Sequence, residues 1–461
     1  MNKTGTKMMR KRLLGLATAA ALVFFALYGG SRTWQPARAQ APAAPSDVER
    51  LRIEVARLRN EVAQLRNEDG YINVKRFGAK GDGVTDDTAA LQAALDAAGN
   101  NAPWGVRGTQ IIVPPGEYLV SSTLNVQRMA FEMIGCGYGN SPAYAASPGK
   151  ASVFRWDGPP NTPMMKIRDS SGITIRRIRW EGKNGVAGTS AINLHWVASD
   201  QQGTNAGTVI EQCHFGRYAH TAQGIWKGDL AYGILMDGAN GNNDEFKIER
   251  CTFVGCGKAA IRIANTQSVW GSVNDCTLSE CGMGIDTASH LTGYNVCFDA
   301  CGPDWNIAGT AHVRVFGWQS ERSKQLARLG TDAALIADGG YVQLDGIAGG
   351  VMVDAFPSDR AQVILRALQF TQNTLSPRPK IRFGPSEKDV VVGQDFHIKV
   401  DDCTGLYPDQ FHLAGRLWAE QPASRGEVEF CGSADKAYQF RNFLRMNPPP
   451  ARTLDLSLIH I

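Results

Sequence analysis

VKRFGAKGDGVTDDTAALQAALDAA, residues Val74 to Ala98, decides how the rest of this chain is read. Asp82, Asp86 and Asp87 stand among Gly78, Gly81 and Gly83, directly ahead of a helical pattern. Carboxylates this close together raise the question of chemistry. The spacing lacks the D-x-D-x-D-G run and closing Glu of a calcium loop, and it has no Gly-Lys-Ser/Thr for phosphate. A structural reading fits better. Thr85, Asp86 and Asp87 open a helix from Asp86 to Ala98, where they cap free N–H groups and match the helix dipole. Leu91, Leu95 and Ala98 form its apolar stripe, Gly99 stands at a natural C′ position, and Val74 and Phe77 are expected in a preceding strand. The aspartates therefore build a helical lid for a body whose end would otherwise expose apolar core and strand edges.

That body repeats from about Thr208 onward. TVIEQCHF, FKIERCTFVGC, GSVNDCTLSEC and GYNVCFDAC share a short strand, a cysteine, an apolar or aromatic residue and a turn. Each is followed by another short strand: YGILMDG, AAIRIAN, MGIDTAS and DWNIAGT. Cys251 to Cys276 spans 25 residues, Cys276 to Cys297 spans 21, and Cys256 to Cys281 again spans 25. Periods of this size with β-rich segments and Gly/Asn turns predict a solenoid of parallel strands. Equivalent positions on neighbouring coils lie about 4.8 Å apart. Cys213, Cys251, Cys276 and Cys297 are thus expected in one internal ladder and Cys256, Cys281 and Cys301 in a second, as buried free thiols.

INVKRFGAKGDGVTDDTAALQAALDAA, followed by IIVPPGEYLV (Ile111–Val120), resembles the opening of the pectate lyase superfamily domain shared by rhamnogalacturonase- and epimerase-like proteins and phage tailspikes. The resemblance runs from Tyr71 to about Gly350. It implies an all-β, single-stranded right-handed parallel β-helix with an N-terminal capping helix, acting on or binding polysaccharides. It does not select a reaction, since one fold hosts many activities. The Gly-His-Gly of polygalacturonases, the arginine signature of calcium pectate lyases and the Asp-Pro-His-Asp of alginate epimerases are absent. CGMGID and CGPDWNIA carry Asp286 and Asp304 where polygalacturonase relatives place carboxylates. No cofactor is certain, and calcium remains open.

The N-terminal 70 residues set the context. Residues 1–39 combine a basic start (Lys7–Arg12), an apolar run (Leu13–Tyr28) and Ala37-Arg38-Ala39. They read as a signal peptide or an uncleaved signal anchor. Either way the protein is expected to be secreted, periplasmic or on the cell surface, with a membrane anchor as one alternative. Residues 1–41 hold seven basic and no acidic residues, leaving 41 basic against 44 acidic in the rest, which argues against nucleic acid as a partner. After a linker at 40–47, Val48, Val55 and Val62 alternate with Leu51, Leu58 and Leu65 in heptads over 48–69. Glu54 and Glu61 stand where they meet Arg59 and Arg66 of a parallel partner, so a parallel homo-oligomer, dimer or trimer, is expected; the alternative is a solitary amphipathic helix. The β-helix is expected over 70–350 and a β-rich continuation of unassigned role over 351–455. Leu456–Ile461, LSLIHI, matches a translated sequencing-library end, so the natural C-terminus is expected to lie elsewhere.

Aligning the strands on Ile192, Ile234, Ile261 and Ile285 turns Leu194, Met236, Ile263 and Thr287 inward. Asn193 and His195, Leu235 and Asp237, Arg262, Asp286 and Asn306 then share the outer face. Asp237, Asp286, Arg262 and His195 are the catalytic candidates. Two coils would separate Asp237 and Asp286 by about 9.6 Å, near the roughly 6.5–9.5 Å of an inverting glycosidase. Alternatively, Arg262 neutralises a uronate while Asp237 or His195 acts as base in β-elimination, or Arg262 and Asp286 only form a surface ladder. The insertion GRYAHTAQGIWKGDLA (Gly216–Ala231) offers Tyr218, His220, Trp226 and Lys227, which join Asp304 as substrate-binding candidates, unless the Trp folds back onto the solenoid. The expected function is cleavage of a polysaccharide by hydrolysis or β-elimination. A carbohydrate-binding or adhesin-like β-helix held on an oligomeric coiled coil is the alternative, and an epimerase a third.

Overall fold

The computed structural model describes residues 71–99, 109–137, 150–182, 188–196, 205–217, 229–238, 243–347, 350–355, 361–371, 379–383, 395–406, 411–413, 425–431 and 442–445. The expected leader, linker, coiled coil and terminal hexapeptide all lie outside these residues. Among the described residues, no helix is long and apolar enough to cross a membrane.

Short strands, most of three to six residues, stack coil upon coil in three parallel ladders. The first begins at Tyr71–Asn73 and runs through Gln110–Ile112, Glu132–Ile134, Thr174–Arg176, Val209–Glu211, Lys247–Glu249 and Gly271–Asn274 to Leu291–Tyr294. The second includes Gly116–Val120, Ser152–Trp156, Arg179–Glu181, His214–Phe215, Thr252–Val254, Thr277–Ser279 and Cys297–Asp299. The third is an 11-stranded sheet from Leu124–Gln127 to Phe411–Leu413. At His312–Glu321 one long strand pairs with both Leu291–Tyr294 and Cys297–Asp299, so the first two ladders merge. The architecture is a parallel β-helix. Its ladders do not stop at Gly350, since Val351–Ala355, Gln362–Thr371, Lys380–Phe383, Asp395–Asp401 and Arg425–Cys431 add further parallel strands.

From Arg177 onward the coils turn between their first and second strands at one residue in the left-handed region. Arg177, Gln212, Arg250, Asp275, Asn295 and Gly317 occupy this corner in successive coils, with φ between 49° and 72°. Gly216, Gly255, Glu280, Ala300 and Arg322 form the equivalent corner before the third strand. One αL residue reverses the alternation of side chains, so the next residue points inward as well. These inward corner positions hold the cysteines. Cys213, Cys251 and Cys276 follow the first corner; Cys256, Cys281 and Cys301 follow the second; all six are buried and free. Cys213, Cys251 and Cys276 donate to the carbonyls of Ile175, Ile210 and Ile248, each one coil earlier, at 3.6, 3.4 and 3.5 Å. The expected fourth member, Cys297, is not in this ladder. It is in register with Thr277, two positions beyond the corner residue Asn295, and is half-buried; Val296 takes the inward place. The coil from Gly271 is shorter than its predecessors, which displaced the cysteine spacing.

Between the corners, Tyr118, Phe154, Trp180, Phe215 and Phe253 stack in register through five coils. Trp180–Phe215 and Phe215–Phe253 lie near-parallel at 6.5 and 4.7 Å, while Phe154–Trp180 meets edge to face at 4.9 Å. Each such pair contributes about 0.5–1.5 kcal/mol beyond area burial.

The helix α1 spans Thr88–Gly99 and lies against strands of the first coil, burying Leu91, Ala94, Leu95 and Ala98. It starts two residues later than the sequence pattern indicates, because Asp82–Asp86 is a strand. Val74–Phe77 forms a 3₁₀ turn after the strand Tyr71–Asn73. The three aspartates are occupied by the backbone. Asp86 accepts from the Thr88 N–H at 3.0 Å, Asp82 from Val84 and Thr85 at 3.0 and 2.7 Å, and Asp87 from Lys80 and Gly81 at 2.6 and 2.9 Å. Those donors hold the exposed Asp82 carboxyl down at about 2. Gly81 (φ +62°) is required here, since a Cβ would also meet the Tyr118 ring at 2.9 Å.

Thiol labelling tests the corner arrangement. The thiolate is the reactive form, and burial pushes the Cys251 and Cys281 thiols up. Among the described cysteines, a maleimide should modify the exposed Cys136 in the native protein and leave the six ladder thiols untouched until denaturant is added. Peptide mass mapping reads the outcome; rapid native labelling at Cys213, Cys251 or Cys276 contradicts the inward ladder.

Candidate functional site

The third sheet aligns its strands as the apolar pattern predicts. Ile192, Ile234, Ile261 and Ile285 are in register, and the next position outward forms a column from Lys166 through Asn193, Leu235, Arg262, Asp286, Asn306, Arg328 and Asp354 to Arg382. His195 pairs with Asp237 in the neighbouring column, two residues along the strands.

This register separates the candidates into two groups. His195 Nδ1 lies 2.7 Å from Asp237 Oδ1, and the Asn193 amide donates to the same oxygen at 2.8 Å. A carboxylate only accepts, so Nδ1 carries the proton and Nε2 is left as the basic nitrogen. Both side chains are partly exposed, at 22% and 35%. In the second group, Arg262 pairs with Asp286, and the Asn306 amide donates to Asp286 at 2.8 Å. Asp286 is buried, its oxygens taken by these two partners. Further along, Arg382 binds Asp354 at 2.7 and 3.0 Å.

The register also revises the proposed carboxyl pair. Asp237 and Asp286 are two coils apart and two residues out of column, so their α-carbons lie about 12 Å apart, against the roughly 9.6 Å of a shared column. Asp237 serves His195 and Asp286 serves Arg262, so the geometry does not bring them together as an acid–base pair. Arg262 lies one coil and two residues from Asp237, about 8 Å between α-carbons, and two coils and two residues from His195, about 12 Å.

Asp304 does not join this face. Its carboxyl is fully buried inside the helix, where the Trp318 indole N–H donates to it at 3.2 Å. Burial pushes it up to about 7, against the Ser320 and Ser323 hydroxyls and the Trp318 N–H. An inward carboxyl beside a corner breaks the simple alternation on which the sequence alignment relied. Tyr218, His220, Trp226 and Lys227 lie outside the described residues.

A second cluster escaped the sequence pattern. On the second ladder, Arg179 Nε meets Glu181 at 2.7 Å, and Arg155 links Glu117 at 2.9 Å to Glu181 at 3.4 Å. His214 is in register with Arg179. Arg179, Glu181 and His214 occupy outward positions yet are buried. Asp229 is buried beside them, and among the described residues neither of its carboxyl oxygens has a hydrogen-bonding partner. Burial first and Glu181 second push it up to about 7, while burial and Arg179 hold His214 down at about 3. The available signal was the charge density of RIRWEG and of HFGR, on a face that alignment of the third-sheet strands left out. Among the described residues, no group of three His, Cys, Asp or Glu side chains is placed to hold a metal ion.

Comparison with known proteins agrees with this architecture. Residues 71–303, just over half of the 461, match the family described as rhamnogalacturonase A/epimerase, pectate lyase-like. The chain belongs to that family. Among curated relatives, mannuronan C5-epimerase AlgE5 of Azotobacter vinelandii is 57% identical over 49 residues, 11% of this chain and 4% of the epimerase. The non-secreted LysM effector LysM19 of Penicillium expansum is 28% identical over 236 residues, 46% of this chain and 18% of the effector. The chain thus spans less than a fifth of the length of either. Among solved structures, endo-xylogalacturonan hydrolase from Aspergillus tubingensis aligns with a TM-score of 0.48 and 11% identity over 77% of this chain and 98% of that one. The AlgE4 A-module of Azotobacter vinelandii aligns with a TM-score of 0.40 and 14% identity over 75% of this chain and all of that one (100%). Likeness at this level speaks neither for nor against an activity.

The buried acid Asp304 carries a pH signature. Its folded value of about 7 exceeds the ordinary 3.8, so between those values the native state keeps a proton that the unfolded chain releases. Its contribution therefore falls as pH rises from about 4 to about 7 and levels off above, by at most about 4 kcal/mol. Asp304→Asn should be no more stable than wild type at pH 4.5 and more stable at pH 8. Melting temperatures of both proteins across that range check this; a constant difference refutes it.

Proposed function

We propose that this family member is exported and cleaves a uronate-containing polysaccharide on its third sheet, by β-elimination, with His195 as the base. The observation that carries this reading is the His195–Asp237–Asn193 group on the outer face, with Arg262 on the same face one coil beyond Asp237 and two beyond His195. Asp237 orients the imidazole and stabilises the imidazolium that forms, as positioned carboxylates do for general bases. Nε2 takes the proton α to the uronate carboxyl group. That electron pair becomes the C4–C5 double bond, the C4–oxygen bond breaks, and the departing alkoxide takes a proton from solvent. Arg262 spends part of its guanidinium on Asp286; its five donors leave an edge for the uronate carboxylate. The leader composition supports export, and the Val48–Leu65 heptads support a parallel oligomer.

A second reading, a non-catalytic glycan-binding β-helix, is favoured by one observation. The Arg262–Asp286–Asn306 and Arg382–Asp354 contacts already pair the charges of this face with one another.

The protein incubated with polygalacturonate, rhamnogalacturonan or alginate should generate the ultraviolet absorbance of unsaturated uronates. His195→Ala and Asp237→Asn should lower that rate by about 10²–10⁴-fold with unchanged melting temperature. Undiminished turnover in either folded variant removes the base from His195. Binding without turnover in the wild type selects the second reading.

A further inference from the structure

The first ladder carries a surface that neither the His195–Asp237 group nor the sequence motifs account for. Gly271, Leu291 and Val313 are in register, so the residues just before them, Trp270, His290 and His312, follow one another in three successive coils. Four residues along, Tyr294 and Phe316 are in register and stack at 5.2 Å with their planes 14° apart. Trp270 is 76% exposed, Tyr294 49% and Phe316 39%, while the residues between them on the inward side, Leu291, Val313 and Val315, fill the core. His312 donates its backbone N–H to His290 Nδ1 at 3.0 Å, which makes Nε2–H the outward donor of that imidazole in its neutral form. Arg314 stands exposed between the two aromatic columns and has no carboxylate partner among the described residues, whereas Arg250, Arg262, Arg322 and Arg382 are all paired.

We propose that this face is a binding platform for an acidic polysaccharide chain, separate from the His195–Asp237 site and one corner of the coil away from it. The proposal rests on the polysaccharide reading above. Ring faces laid open on a flat sheet suit the apolar faces of sugar rings. The unpaired guanidinium between them suits a uronate carboxylate, which it can bind through two N–H groups. Exposed aromatic surface of this kind marks an interaction site in a folded protein. A second copy of the same face is the weaker occupant. Two-fold pairing would set Arg314 against its own counterpart, and Ser272, Asn274 and Thr292 interleave the aromatic positions with hydroxyl and amide groups. Asp338, in register with Phe316 on the next coil, bounds the platform.

Affinity electrophoresis of the full chain through gels holding polygalacturonate, alginate or hyaluronan, with dextran as the neutral control, tests this. The wild type should be retarded by an acidic polymer. Trp270→Ala combined with Tyr294→Ala should weaken that retardation about 10- to 100-fold, in line with loss of aromatic stacking contacts. Arg314→Ala should reduce binding to the acidic polymers and leave any dextran retardation unchanged. All variants should keep the wild-type melting temperature, since the substituted side chains are exposed. If the wild type binds but the platform variants bind equally well, the platform is wrong while the polysaccharide reading stands. If the wild type binds none of these polymers, both fall. A change of oligomeric state in sedimentation with binding intact identifies a self-association surface and overturns the proposal.

Discussion

Closing each coil in the same place is the constraint on which the rest of this protein depends. A parallel stack survives only if every turn of chain bends at equivalent residues, because one displaced corner shifts every side chain that follows to the opposite face. The chain meets this with single left-handed residues at two corners. At Arg177, Gln212, Arg250, Asp275 and Asn295 it accepts that conformation in residues other than glycine, with φ of 49–60°. Such a conformation costs a little at each site, and the cost is offset by the ladders on both sides. At three of the first corners the inward position holds a small side chain that also reaches a carbonyl of the preceding coil, while Ile178 and Val296 fill it at two others. A thiol does both, as the bonds from Cys213, Cys251 and Cys276 to the preceding coil show.

A scaffold closed this way is rigid along its length and repeats its surface at a fixed spacing. Chemistry then depends on which outward columns carry which groups. On the third sheet the column Asn193–Leu235–Arg262–Asp286–Asn306 mixes amides and charges, and the adjoining His195–Asp237 pair adds a base held by its own carboxylate. On the first ladder the outward groups are aromatic. Two faces with different surface chemistry therefore lie around one corner from each other, on a frame with little freedom to rearrange.

The interior is not uniformly apolar. Asp304 inside the helix and Asp229 over the second ladder are both pushed up to about 7, mainly by burial. They differ in surroundings. Asp304 has the Trp318 indole for company, whereas Asp229, near Glu181 and Arg217, has no hydrogen-bonding partner among the described residues. Each costs stability where it ionises on unfolding, so both couple the fold to pH between about 4 and about 7.

Local chemistry determined a good deal here. The glycine and aspartate spacing of Val74–Ala98, the alternation around Ile192, Ile234, Ile261 and Ile285, and the recurrence of Cys251 and Cys256 25 residues later are all local or periodic, and they specified a parallel β-helix with buried thiols. Side-chain alternation also put His195, Asp237, Arg262 and Asp286 on the outer face. What it left undetermined was register across the stack. Only the folded coils show that Asp237 belongs to His195 and Asp286 to Arg262, that Cys297 sits two places past its corner, and that Asp304 turns inward. The same holds for Glu181 and Asp229, which are 48 residues apart in sequence and meet in space. A strand's period of two assigns a residue to a face; which residue it meets there is set by coil lengths and corners, and those are properties of the whole stack.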